Sequence, residues 1–225
     1  MKESELAFWQ KMARHYTKCM DRSAPLYAAV CERIRPHLSR DMNVLELACG
    51  TGQLSFPLSP YVRLWEATDA APAMIQEAKK RIGSSRLHFS VQDAAHLPYA
   101  PESFDAVVIA NALHILPEPE CVLREIRRVL KPGGWLFAPT FVYSGGRLAR
   151  LRTWCMERIG FRVYHRWNAG EFVSYLSMHD FWVVEHALLG GRVLPLCYAA
   201  CRWTPPEYLA AQDVVTIQGQ PGYDS

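Results

Sequence analysis

The sequence predicts an α/β protein: a mostly parallel sheet covered by helices on both faces. Three observations carry this reading. Between residues 43 and 142, short apolar runs alternate with segments of helical period, the pattern of parallel strands joined by crossover helices. The first run, Val44-Leu45-Glu46-Leu47-Ala48-Cys49, enters the turn Gly50-Thr51-Gly52, and the second ends on Thr68-Asp69. Late in the chain, two apolar runs, Phe181 to Leu189 and Leu194 to Trp203, flank Gly190-Gly191-Arg192-Val193. They read as a hairpin, which makes the sheet mixed.

The elements follow in order. Residues 5–38 are expected to form two helices broken near Asp21-Arg22-Ser23, with Pro25 in the first turn of the second, where its missing N–H costs nothing. The first strand covers 43–48, and a helix at 52–59 follows the glycine turn. The second strand covers 62–68. A helix at 71–82 starts near Pro72 and puts Met74, Ile75, Ala78 and Ile82 on one face, the spacing of an amphipathic helix. Strands at 86–91 and 104–110 come next. The helix at 118–130 carries Val122, Leu123, Ile126, Val129 and Leu130 at helical spacing and is closed by Lys131-Pro132-Gly133-Gly134. A fifth strand covers 135–142. Residues 204–225 are expected to hold a short helix after Pro205-Pro206 and then a frayed tail.

Bulk properties exclude several classes. A chain of 225 residues, half of them apolar, can bury a substantial core. A net charge of +3 gives no basic stripe for nucleic acid. No apolar run reaches the roughly 18 residues of a membrane span. Met1-Lys2-Glu3-Ser4-Glu5 lacks the basic-then-apolar order of a signal peptide. The seven cysteines form no C-x-x-C pair. Reduced thiols, a cytoplasmic location and no metal site are the expectation.

The glycine turn narrows the ligand. A dinucleotide fingerprint needs a third glycine, and Ser55 stands at that position. Glu46 sits inside the strand before the turn. A carboxylate there repels a pyrophosphate and suits a ligand with an ammonium group. S-adenosyl-L-methionine carries an ammonium and no phosphate.

At these residues the chain resembles the class I S-adenosylmethionine-dependent methyltransferases, in particular their small ubiquinone-biosynthesis-like (type 11) group. Glu46 to Gly52 is similar to the family's glycine loop, with Ala48 in place of its usual first glycine. Thr68-Asp69-Ala70-Ala71-Pro72-Ala73-Met74-Ile75 resembles the ribose-acid segment, and Gln92-Asp93-Ala94-Ala95-His96-Leu97-Pro98 the adenine loop. Phe104 to Val108 and Leu123 to Gly134 are similar to the fourth strand and to the helix and turn before the fifth. The resemblance implies a Rossmann-like three-layer sandwich with a seven-stranded, mostly parallel sheet and an antiparallel last strand. It implies one domain over 1–203: a helical lid at 1–40, a cofactor core at 41–142 and acceptor-side helices with the hairpin at 143–203.

The same resemblance implies roles. Asp69 would accept from the ribose diol and Glu46 would lie near the methionine amino group. Asp93 and the N–H of Ala94 would meet the adenine edge, and Met74 its face. Ala48, Gly50, Gly52, Ala70 and Asn111 complete the expected cofactor set. Ala110-Asn111-Ala112 lacks the N/D-P-P-Y motif of amide and nucleobase methylation, so the expected partner is a small-molecule acceptor, with its accepting atom open. Candidate catalytic groups are His114, just past the fourth strand, and Tyr16, in a segment similar to the family's N-terminal lid, which also carries Phe8 and Trp9. His15, Tyr143, Trp167 and the aromatic segment 160–167 are further acceptor-side candidates. Two other classes stand beside this reading: a nicotinamide-dependent oxidoreductase, and a cofactor-binding protein without turnover.

Overall fold

A computed structural model describes residues 3–21, 23–81, 83–143, 145, 158, 161–191 and 195–204, with only the backbone described at 3, 4 and 17–21. The expected helix and tail past Pro205 lie outside the described residues. Helices α1 (Glu3–Asp21) and α2 (Ala24–Ile34) precede the sheet. Then come β1 (Asn43–Leu47), α3 (Ser55–Leu58), β2 (Leu64–Asp69), α4 (Pro72–Ala78), β3 (Leu87–Val91) and β4 (Phe104–Ile109). They are followed by α5 (Pro119–Val129), β5 (Leu130–Phe137), β6 (Thr140–Phe141), α6 (Ala169–Met178), β7 (Phe181–Leu189) and β8 (Leu196–Trp203).

The sheet runs β3-β2-β1-β4-β5-β8, with β7 outside β8. Pairs from β3 to β5 are parallel, and β8 is antiparallel to both β5 and β7. Phe137 pairs with Ala200 and Thr140 with Cys197 in one unbroken register. Eight strand segments therefore fill seven positions, because β6 continues the line of β5.

Three elements depart from expectation. The helix expected at 71–82 ends at Ala78, with Lys79 as its cap, and Ile82 lies outside the described residues. The helix after the glycine turn is a single turn, Ser55–Leu58, followed by a 3-10 turn at Ser59–Tyr61. Pro57 and Pro60 have no N–H to extend it. The fifth strand begins at Leu130 instead of 135, because Leu130 pairs with Phe104 before the register shifts.

Side chains alternate between two cores, as a pleated strand requires. Leu45, Leu47, Val107, Ile109 and Leu136 face α5 and α6. Val44, Trp65, Ala67, Val108 and Phe137 face Val30 and Ile34 of α2. Each such side chain contributes about 1.5–3 kcal/mol by leaving water.

Glu46 points into this second core and is 2% exposed. Its Oε2 accepts from Ser55 Oγ at 2.5 Å and Trp65 Nε1 at 2.8 Å. The carboxylate thus ties β1 to β2 and to the start of α3. Burial pushes its pKa up to about 7, against the pull of the two hydrogen bonds. The turn above it is tight. Gly52 has φ +87°, and a Cβ there would lie 2.6 Å from the Phe56 ring. Ala48 also adopts a left-handed φ of 52°, which strains a residue with a Cβ.

Two predictions follow from this geometry. Between pH 4.5 and 7 the native state holds a proton on Glu46 that the unfolded chain has released. Folding stability therefore falls as pH rises through this window, by roughly 3 kcal/mol in all. Denaturant titrations of wild type and Glu46→Gln across that range should show this falling component in wild type alone. Ala48→Gly should raise stability by about 1 kcal/mol through relief of the left-handed strain, read as an increase in denaturation midpoint.

Candidate functional site

A cleft of about 720 Å³, measured out into open solvent, lies at the carboxyl ends of the central strands, where open α/β sheets bind ligands. Its floor is the β1 turn, with Ala48 and Gly50, and the β2 end, with Asp69 and Ala70. Met74 of α4 and the segment Gln92-Asp93-Ala94 after β3 form one wall. The β4 end, from Ile109 to Ala112, with Ile115 and Leu116, forms the other. Trp9 and Tyr16 of α1 cover the top.

Asp69 organises the floor. Its Oδ2 accepts from Gly50 N at 2.9 Å and its Oδ1 from Ala71 N at 2.8 Å. Burial raises its pKa, opposed by these two donors. Gly50 is left-handed at φ +56°, and a Cβ there would come within 3.1 Å of the Tyr16 ring. Asp93 is half-exposed, and its Oδ1 accepts from Ala95 N at 3.1 Å. Met74 is buried against Ala13 and Ala71, which seats α1 on α4.

A chain of polar contacts crosses the cover. Phe141 N donates to Asn111 Oδ1 at 3.2 Å, and Asn111 Nδ2 donates to the Tyr27 hydroxyl at 3.1 Å. The Tyr16 hydroxyl lies near that of Tyr27, and each influences the other's titration. Burial raises both phenol pKa values, so both keep their protons at neutral pH. Asn111 accepts the left-handed φ of 53° that this position takes, a conformation asparagine tolerates.

The structure brings most of the expected residues into the cleft: Tyr16, Ala48, Gly50, Asp69, Ala70, Met74, Asp93, Ala94 and Asn111. Glu46, Gly52 and His114 are not among its lining residues. Glu46 is turned to Ser55 and Trp65 below the turn, and Gly52 makes room for Phe56. His114 lies in the 3-10 turn Leu113–Ile115, 5% exposed, with its ring 6.4 Å from Phe141 and 6.5 Å from Phe161. Its Nδ1 has no partner, and burial, aided by His165, lowers its pKa to about 4.

Of the acceptor-side candidates, Phe161 packs edge-on to Trp9 at 5.8 Å, and the Tyr164 hydroxyl donates to Glu5. Trp167 stacks between His165 and Tyr175, Tyr143 N donates to Trp167 O, and His15 is exposed. Gly160 lies outside the described residues. The sequence reading missed Ile115 and Leu116 as walls, one and two residues past His114. It also missed Tyr27, whose bond to Asn111 spans 84 residues and leaves no local signal.

Among the described residues, no three His, Cys, Asp or Glu side chains are grouped to hold a metal ion. No helix there is long and apolar enough to cross a membrane. Cys31, Cys49, Cys121, Cys197 and Cys201 are free thiols.

Comparison with known proteins agrees with this architecture. A methyltransferase domain family matches residues 45–138. A demethylmenaquinone methyltransferase of Clavibacter sepedonicus is 40% identical over 92 residues, which cover 40% of this chain and 38% of that protein. The uncharacterized methyltransferase YodH of Bacillus subtilis is 36% identical over 159 residues, 70% of this chain and 66% of YodH. The chain spans about two-fifths or less of the length of several other curated relatives. In the solved complex of the Haloferax volcanii Trm112 methyltransferase activator with a putative methyltransferase, a matching chain shares the fold. The TM-score is 0.75 at 20% identity, over 88% of this chain and 98% of that one. The matched methyltransferase domain and the methyltransferase relatives identify the family: the chain belongs to the class I S-adenosylmethionine-dependent methyltransferases.

Proposed function

We propose that this chain transfers the methyl group of S-adenosylmethionine to a small, uncharged acceptor. The observation that carries the reading is the distribution of charge in the cleft. Its charged lining groups are Asp69 and Asp93, at the ends of β2 and β3, with no Lys or Arg among the described lining residues. Carboxylates suit ribose hydroxyls and an adenine amino group. They would repel the pyrophosphate of a nicotinamide cofactor. The opposite wall, with Ala112, Ile115 and Leu116, and Trp9 above it carry no charge. They offer nothing to neutralise an ammonium or phosphate acceptor.

The residues divide the work accordingly. Asp69 accepts from the two ribose hydroxyls, Asp93 and Ala94 N meet the adenine edge, and Met74 packs on its face. Glu46 braces the turn from beneath through Ser55 and Trp65. When bound, the cofactor supplies an electrophilic methyl on a sulfonium leaving group. The task left to the protein is alignment and exclusion of water. Trp9 and Tyr16 close the cleft, and Phe161 backs Trp9. His114 stands behind the Ile115 wall as an uncharged ring, so in this reading it shapes the acceptor side.

Incubation with methyl-labelled S-adenosylmethionine and a fractionated metabolite extract tests the reading. Label should appear in a neutral small molecule; label in none of the fractions would leave only a binding role.

Asp69→Asn should weaken S-adenosylhomocysteine binding about 10- to 100-fold by calorimetry, because a charge-assisted pair of bonds is lost. It should also lower ligand-free stability, since Gly50 N and Ala71 N then share one acceptor. Loss of stability with affinity unchanged would confine Asp69 to a structural role.

His114 predicts an opposite pH trend to Glu46. Between pH 6.5 and 4 the unfolded chain takes up a proton that native His114 refuses, so stability falls as pH drops through that window, by roughly 3 kcal/mol in all. His114→Gln should remove this component in denaturant titrations. Turnover of His114→Gln per folded molecule should stay within about threefold of wild type; a drop of 10²-fold or more would instead make His114 a general base.

A further inference from the structure

Four of the six large apolar side chains that stand exposed among the described residues cluster at β7. Trp182 is 77%, Val184 53% and Leu188 60% exposed on the strand, and Met178, at the end of α6 just before it, is 77% exposed. Among the described residues, β7 pairs with β8 alone, so its outer edge is open. Sheets commonly guard such an edge with Lys or Pro, and Phe181–Leu189 contains neither.

The strand changes facing at Val184, where its register against β8 shifts. Before the shift, Phe181 and Val183 lie beside Trp203 and Cys201 on the face of α5 and α6. Trp182 lies beside Arg202, which reaches over Trp135 on the α2 face. After the shift, His186 and Leu188 share the α5 and α6 face with Ala199 and Cys197. Glu185, Ala187 and Leu189 share the α2 face with Ala200, Tyr198 and Leu196. Directly opposed residues of antiparallel strands share a face, so a strand added outside β7 must respect this change.

We propose that β7 pairs antiparallel with β7 of a second copy of this chain, about a twofold axis through His186. In this register His186 faces the partner's His186, and Glu185 faces the partner's Ala187. Val183 faces the partner's Leu188, and Trp182 faces the partner's Leu189. Every pair shares a face, and Val184 bulges in both strands as it does against β8. An axis through Glu185 would set two carboxylates opposite each other, which is unfavourable. An axis through Ala187 would carry Phe181 to Val183 past the end of the partner's strand. Glu185 brings no unpaired charge to the seam, because Arg33 of its own copy holds it at 2.5 Å. Twofold pairing uses each apolar contact twice. At the exposures found, the four side chains of two copies offer roughly 700 Å². The paired edges bring this toward the roughly 1,000 Å² of a specific interface, so the dimer is a weak one, with a dissociation constant on the order of micromolar.

Sedimentation velocity of the full chain across a micromolar concentration series should show a monomer passing into a dimer. His186→Glu sets like charges opposite each other on the axis and should weaken the dimer at least 10-fold, with circular dichroism unchanged because His186 is exposed. A second pair of variants reads the register itself. Opposed residues of antiparallel strands lie within disulfide range, so His186→Cys should link two copies under mild oxidation, with mass spectrometry placing the bridge between the two 186 positions. Ala187→Cys, which faces residue 185 of the partner, should not link to itself, and wild type should show no bridge at this edge. A monomer at every concentration would leave the edge to a different occupant and overturn the proposal. A dimer that persists undiminished in folded His186→Glu, or a bridge that forms at 187 and not at 186, would overturn it as well.

Discussion

The carboxylate of Asp69 is the constraint on which the site depends. It joins two segments that the sheet alone leaves unconnected: the turn after β1, through Gly50 N, and the first residue before α4, through Ala71 N. Placing Ala71 fixes the start of α4, and Ala71 and Met74 are the surface on which Ala13 of α1 rests. One carboxylate thus sets the floor of the cleft and, through α4, the height of its cover. Burial works against its charge and raises its pKa, and the two backbone donors oppose that rise. A ligand hydroxyl arriving here meets an acceptor already aimed and already desolvated.

The turn is held from both sides. Above it lies the Tyr16 ring, and below it Glu46 anchors Ser55 and Trp65. Glu46 shows how a buried acid can hold the elements around it. It replaces an apolar contact with two directional bonds, which specify how α3 leaves the turn. Such a bond set fixes geometry more than it adds stability.

The sheet was legible in the sequence because its signals are local: apolar runs of strand length, closed by a glycine, an acid, an asparagine or a proline. The cleft floor and part of one wall were legible for the same reason, since Ala48, Gly50, Asp69, Ala70, Asp93 and Ala94 all sit at strand ends. What was not legible depends on direction or on distance. Glu46 was read toward the ligand's ammonium group, but strand alternation turns its side chain to the α2 face with Val44 and Val108. The helix after the turn was read too long because Pro57 and Pro60 interrupt an otherwise apolar stretch. The start of β5 at Leu130 needed its partner Phe104 to define it. Tyr27 joins the site only once α2 and the β4 end are packed together.

The position of β8 bears on how the chain is made. It follows β7 in sequence, yet it lies between β5 and β7 in space, with Leu196 to Cys201 wholly buried. On a ribosome, the strands β1 to β5 can pair as they emerge, but the flank of β5 stays open until β8 arrives. For that interval Trp135, Leu136 and Phe137 present an unpaired, apolar sheet edge, the kind of surface that recruits other strands. A pause in synthesis between β5 and β8 therefore leaves an adhesive edge on the nascent protein, and a chaperone that covers this edge would act there.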